Sequence, residues 1–322
     1  MGSSKTVVLA ALFANGAIAI LKFVAFLLTG SASMLSETYH SISDTGNQVF
    51  LLIGIRYGGQ AADRTHPFGY GKAQFFYSFL VSVFLFGIAG WESAKHGFSK
   101  LTADGHGSHA GTGAVEFLGF SYDPSLSFDP VYVSYAVLLG AFAFETYALV
   151  KARAEMRRQM DRHGWDGYPE AFRKTSDVTT LTALTEDTIA LTGIVLALIG
   201  VSLEQATGNP IYDAAAAFAI GLMLMGFALA LAWENKRLIL GESMSAQEES
   251  DLRELVANWE GVEEVIDFRT VYFGPERIVV TADVAFADDL DTESMDDRIS
   301  AIEAALKDRE PGIRTVYIEP ET

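Results

Sequence analysis

The chain has 322 residues, half of them hydrophobic, with a formal net charge of −18 and a positive mean hydropathy. It contains no cysteine, which excludes a disulfide scaffold and thiolate metal sites. Its acidic balance leaves no basic surface on which a nucleic-acid partner is expected.

A membrane span needs about 20 mostly apolar residues. Six candidates follow one another along the chain, at residues 6–29, 36–57, 73–94, 131–152, 181–203 and 211–233. The first run is long for a signal peptide and no small-residue cleavage motif follows it, so it is expected to remain as a span. The second is the most polar, because its first half reads "SETYHSISDTGNQ". Basic residues alternate between successive loops. The segment after the fourth span, "KARAEMRRQMDRHGWDGYPEAFRK", is dense in Arg and Lys, and Arg56, Arg64 and Lys72 surround the loop after the second. Loops rich in Lys and Arg face the cytoplasm, so both termini are expected there, in an integral protein of a prokaryotic plasma membrane. Residues 1–240 are then expected to form a six-helix transmembrane domain in the lipid bilayer.

From residue 241 the composition changes. This tail holds 22 acidic and 7 basic residues and supplies −15 of the net charge, as the solvated surface of a soluble domain would. Residues 245–259 carry Leu252, Leu255, Val256 and Trp259 at helical spacing behind a Ser245 cap. "VEEVIDFRTVYFG" and "ERIVVTADVAFA" alternate as strands do, with a turn at Gly274-Pro275. A second amphipathic helix and a closing strand, "IRTVYIEP", complete the order αββαβ. The expected fold class is therefore a polytopic α-helical membrane protein with a small α+β, ferredoxin-like C-terminal domain. All six histidines precede residue 164, so the tail has no nitrogen- or sulfur-rich metal site.

The chemistry concentrates within the spans. A charged group at mid-bilayer costs roughly 2.5–3.5 kcal/mol on insertion scales, so each needs a reason. His40 and Asp44 stand four apart, on one face of a helix, and supply half of a tetrahedral site for Zn²⁺ or a similar ion. Asn47 lies a further turn along that face. Span five carries adjacent carboxylates, Glu186 and Asp187, and span four carries Glu145. These acids and the His–Asp pair can converge on one cation, with protons replacing the metal when it leaves. Lys22 in span one can snorkel or pair with a carboxylate. Asp213 reads as a helix-start residue of span six. In the loop after span two, Asp63 and His66 are three apart, either as a second metal site or as part of a turn shaped by Pro67, Gly69 and Gly71. His106 and His109 lie in the Gly-rich "GHGSHAG", which reads as a flexible linker. The H-E-x-x-H pattern of zinc proteases is absent, and a non-enzyme without a prosthetic group is expected.

The phrases "SASMLSETYHSISDTGNQ", "HPFGYGKAQFF", "LTEDTIALTG" and "LILGES", together with six spans and the soluble tail, resemble the cation diffusion facilitator family of Zn²⁺/H⁺ antiporters. They are most similar to the subgroup that contains the mitochondrial zinc exporter of animals. The resemblance implies a homodimer that alternates between inward- and outward-facing states, with the metal ion and protons as its substrates. It implies a site of two ligands from span two and two from span five, each pair four apart. His40 and Asp44 match the first pair and Asp187 the last ligand. The remaining position is Ala183 rather than a ligand. The fourth ligand then falls to Glu186, Glu145 or water, or the fifth helix is distorted. More oxygen and less nitrogen shifts preference toward Mn²⁺ or Fe²⁺. The loop motif has Tyr70 where bacterial members often have a second His, which weakens the Asp63/His66 site. A channel and a metal receptor that does not turn over are the competing classes.

Overall fold

The computed structural model describes residues 2–102, 115–117, 120–122, 131–163, 166–168, 171, 178–275 and 277–321, with the side chains of 2–11, 14, 115–122, 162, 163 and 178–183 outside that description. The "GHGSHAG" segment, with His106 and His109, lies outside the described residues, as does the side chain of Ala183. Two compact units are present. One comprises residues 1–49 and 81–230, the other residues 50–80 and 231–322.

Six long helices account for the apolar runs: α1 (Gly2–Thr29), α2 (Ala32–Gly58), α3 (Lys72–Thr102), α4 (Val131–His163), α5 (Val178–Thr207) and α6 (Ile211–Leu240). Most extend past the apolar stretch that marks them, because polar helix ends can continue into water. By length and composition α3, α4, α5 and α6 can each cross a membrane, while the described apolar part of α1 is Asn15–Thr29. α2 has the length, at 27 residues, but its polar first half lowers its hydropathy. Beyond the "GHGSHAG" segment, β1 (Val115–Phe117) pairs antiparallel with β2 (Phe120–Tyr122).

The first unit buries Phe26, Met34, Leu85, Leu138, Ile194 and Leu224 in one cluster. Its outer surface is also apolar, with Phe13, Leu139, Ile199 and Leu229 exposed. α3 and α6 approach closely through small residues: a Cβ on Gly97 would fall 2.5 Å from the Phe218 nitrogen, and one on Gly221 2.3 Å from that of Ala94. Small residues of this kind let membrane helices meet backbone to backbone. Beside this contact α3 contains a π segment, Leu85–Gly90. Its widened turn hands the Trp91 N–H to the Phe86 carbonyl five residues back.

In the second unit the tail folds as α7 (Ala246–Ala257), β3 (Val262–Gly274), β4 (Arg277–Phe286), α8 (Thr292–Arg309) and β5 (Ile313–Glu321). The Ser245 hydroxyl accepts from the Glu248 N–H while the Glu248 carboxylate accepts from the Ser245 N–H, a reciprocal cap. β3 pairs antiparallel with β4 across the Gly274–Pro275 turn, and β4 pairs parallel with β5. A parallel pair needs a crossover, which α8 supplies. α7 packs on β3, α8 on β5, and the two helices touch. Leu252, Val256, Phe268, Val280, Ile302 and Leu306 fill the space between helices and sheet.

Candidate metal centre

The polar stretch of α2 survives burial because its hydroxyls satisfy themselves locally. The Thr38 hydroxyl donates to the Met34 carbonyl at 2.8 Å, and Ser36 donates to the Ala32 carbonyl at 3.2 Å. This leaves Glu37, His40 and Asp44 free to face the helices around them. His40 is 2% exposed. Its Nε2 lies 3.5 Å from Asp44 Oδ2, beyond ordinary hydrogen-bond distance. Neither ring nitrogen has a hydrogen-bond partner among the described residues. Buried polar atoms are nearly always satisfied, so an unpartnered buried imidazole beside a carboxylate is a donor pair suited to a cation.

The other sequence-selected acids are part-buried and electrostatically coupled to this pair. Asp44 feels the charges of Glu145, Glu37 and Asp187. Glu186 on α5 feels Asp44 and Glu145, and the Asn47 amide lies within its hydrogen-bonding reach. Asp187 feels Glu186. Among the described residues, however, no three His, Asp or Glu side chains are close enough together to hold one ion as they stand. Adjacent positions on a helix point about 100° apart, so Glu186 and Asp187 do not present their carboxylates in one direction.

Lys22 takes one of its two expected courses and Asp213 goes beyond its own. Lys22 does not snorkel. It is buried, with Nζ 2.8 Å from Glu37 Oε2 and both side chains at or below 1% exposure. The apolar length of α1 around Lys22 keeps it from water, and the Glu37 carboxylate compensates. Asp213 is more than a helix-start residue of α6. Its carboxylate accepts from the Ser31 hydroxyl at 2.9 Å, from the backbone N–H groups of Ala32 and Ser33, and from the Ser33 hydroxyl. It therefore caps α2, whose first N–H groups have no partner within the helix. The only sequence signal was an acid at the start of an apolar run, and nothing local ties residue 213 to residue 32.

In the loop before α3, Asp63 organises a turn. Its Oδ1 accepts from the Thr65 N–H at 2.8 Å, the Thr65 hydroxyl at 2.7 Å and the His66 N–H at 2.8 Å. Its Oδ2 accepts from the Tyr70 hydroxyl at 2.7 Å. Donation from Thr65, Tyr70 and His66 holds the Asp63 carboxyl well below the usual carboxylate range. The same bond raises the Tyr70 phenol above its ordinary value. His66 Nδ1 is 3.8 Å from Asp63 Oδ1 and 3.0 Å from the Thr65 hydroxyl, and both His66 and Asp63 are about half exposed. The loop then packs on the β3–β4 turn, with Phe68 and Phe273 centroids 4.7 Å apart and Lys72 Nζ 4.8 Å from the centre of the Phe273 ring.

Known proteins match this chain along its length. The cation efflux transmembrane domain matches residues 8–240, and the cation efflux protein cytoplasmic domain matches residues 244–322. The chain is similar to the human proton-coupled zinc antiporter SLC30A9, mitochondrial, with 30% identity over 280 residues that cover 87% of this chain and 45% of that protein. It is similar to metal tolerance protein C4 of Arabidopsis thaliana, with 25% identity over 290 residues, 88% of this chain and 57% of that one. It is also similar to the cation-efflux pump FieF of Klebsiella pneumoniae, with 25% identity over 263 residues, 82% and 75% of the two chains. The chain thus spans about half the length of the animal and plant relatives it matches. These two domain matches, which together cover nearly the whole chain, place it in the cation efflux, or cation diffusion facilitator, family of integral membrane transporters.

Proposed function

We propose that the chain carries a divalent cation, Zn²⁺ in the first instance, across a membrane in exchange for protons by alternating access. The observation that carries this reading is buried His40, with both imidazole nitrogens unpartnered, beside part-buried Asp44, and the electrostatic coupling of Asp44 to Glu145, Glu186 and Asp187. Such ligands must lose protons to bind metal and regain them when it leaves. Competition between metal and protons for one set of atoms gives antiport a physical basis. His40, Asp44, Glu186 and Asp187 are the proposed ligands, and Glu145 and Asn47 the groups that adjust them. The similarity to a proton-coupled zinc antiporter supports this assignment.

Six spans, with α1 and α2 crossing beside the four more apolar helices, and cytoplasmic termini fit the distribution of Arg and Lys. The C-terminal domain, ferredoxin-like in its αββαβ order, serves to join two copies. A bacterial plasma membrane suits the likeness to FieF.

Metal-driven proton movement in proteoliposomes holding an internal pH dye tests the reading, with Zn²⁺, Mn²⁺, Fe²⁺ and Co²⁺ compared in the wild type and in His40→Ala. Zn²⁺-driven proton flux that disappears in the variant is the expected result. Binding without flux of any metal would overturn the transporter. A second reading, transport of Mn²⁺ or Fe²⁺, is favoured by the oxygen-rich set that Ala183 leaves. Under the zinc reading, Ala183→His shifts preference further toward Zn²⁺, measured as the ratio of Zn²⁺ to Mn²⁺ flux. An unchanged ratio means that position 183 does not face the ion.

A further inference from the structure

The buried Lys22–Glu37 pair lies outside the proposed ligand set, yet it belongs to the same interior. Lys22 is the one lysine or arginine that is buried among the described residues. Its charge reaches His40, Asp44 and Glu145. It bonds to the Glu37 carboxylate and is electrostatically coupled to those of Asp44 and Glu145. Glu37 sits three residues before His40, so the two share a face of α2. Glu37 is held on both sides. Lys22 of α1 takes Oε2 at 2.8 Å, while Oε1 lies against α5, where a Cβ on Gly193 would fall 2.5 Å from it. Oε1 has no hydrogen-bond partner among the described residues.

Resting on the metal-transport reading above, we propose that Lys22 is a tethered counter-cation of the transport site. Its ammonium offsets the excess carboxylate charge between cargoes and opposes the incoming ion, so that metal is bound weakly enough to leave. Coulomb repulsion between like charges inside a protein is large enough to change an affinity about tenfold. A pair that served folding alone would behave differently, because breaking a buried ion pair from either side is destabilising.

The sign of two single substitutions separates these roles. Zn²⁺ affinity is measured on the full chain in nanodiscs by competition with a fluorescent zinc indicator, for variants that remain monodisperse. Lys22→Met removes the opposing charge and tightens Kd about tenfold. Glu37→Gln frees Lys22 from its partner and weakens Kd about tenfold. The double variant returns to within about threefold of wild type, since it removes one charge of each sign. Both singles weakening binding, or neither changing it, would overturn the proposal. Should Lys22→Met fail to fold, Glu37→Gln and the double variant decide it: weakened binding restored in the double sustains the counter-cation, and unchanged binding in Glu37→Gln overturns it. His40→Ala is the control for the underlying reading. Undiminished Zn²⁺ binding there sinks the site itself, whatever the signs at Lys22 and Glu37.

Discussion

The C-terminal domain keeps its charge outside and the helical unit keeps much of its charge inside. In the tail, with its 22 acidic and 7 basic residues, no Asp, Glu, Lys or Arg among the described residues is buried with the core of Leu252, Val256, Val280, Ile302 and Leu306. In the helical unit the outer surface is apolar while Lys22, Glu37 and His40 are buried. Water solvates the tail's acids at little cost. The same groups inside a helical bundle need partners or a cation. Replacing a buried ion pair with hydrophobic residues is often neutral or stabilising, so stability alone is a weak reason to keep one. The contrast teaches where to look for work: under the proposed function, the bundle's buried charges are the ones that handle the ion.

Four substitutions or conditions test that contrast, in decreasing order of effect. Asp44→Ala removes a proposed ligand and should cut metal-driven flux by more than about 100-fold, since even groups that only orient a ligand are worth 10–100-fold. The variant should still insert in the membrane, and normal flux would break the contrast at its centre. Leu306→Ala empties a fully buried site in the tail and should cost about 2–5 kcal/mol locally. Faster hydrogen exchange of β4 amides would report it, with metal affinity unchanged. Asp213→Ala leaves the first N–H groups of α2 unpaired, at about 1–3 kcal/mol, read as faster exchange at Ser31–Leu35. Equal exchange there would mean that water replaces the cap. The smallest effect concerns pH. Because hydrogen bonds depress the folded Asp63 carboxyl, its contribution to the loop is present above the unfolded value of about 3.9 and is lost as pH falls through the lower folded value. Protease resistance of residues 63–70 should therefore persist at pH 4.5 and disappear in Asp63→Asn. Equal resistance in both proteins would remove Asp63 from that role.

The tail was the more legible half. Strand alternation marked 262–274 as it stands in β3, and Ser245 was recognisable as a cap because the motif is local. The bundle was legible as apolar runs and as the His40/Asp44 spacing, which a helix converts directly into proximity. What escaped depends on contacts between distant segments or on hydrogen-bond register. Asp213 caps α2 from 181 residues away. Lys22 finds Glu37 only once α1 and α2 are side by side. The π segment at Leu85–Gly90 leaves no trace in hydropathy, since it changes which carbonyl an N–H reaches and not which residues are apolar. The fourth ligand stayed open because it depends on the rotation of α5 about its axis, which adjacent acids at 186 and 187 do not fix.

The cap on α2 has a mechanical meaning. With Ser31, Ala32 and Ser33 all bonded to Asp213, that end of the helix is a fulcrum and the rest is a lever. At 1.5 Å per residue, His40 stands roughly 10 Å from the fulcrum and the far end at Gly58 roughly 37 Å. A tilt of about 10° carries Gly58 about 6 Å and His40 only about 2 Å by the same geometry. Two ångströms is about the length of a metal–nitrogen bond. If His40 ligates the transported ion as proposed, a small swing of this lever is sufficient to take its imidazole off that ion.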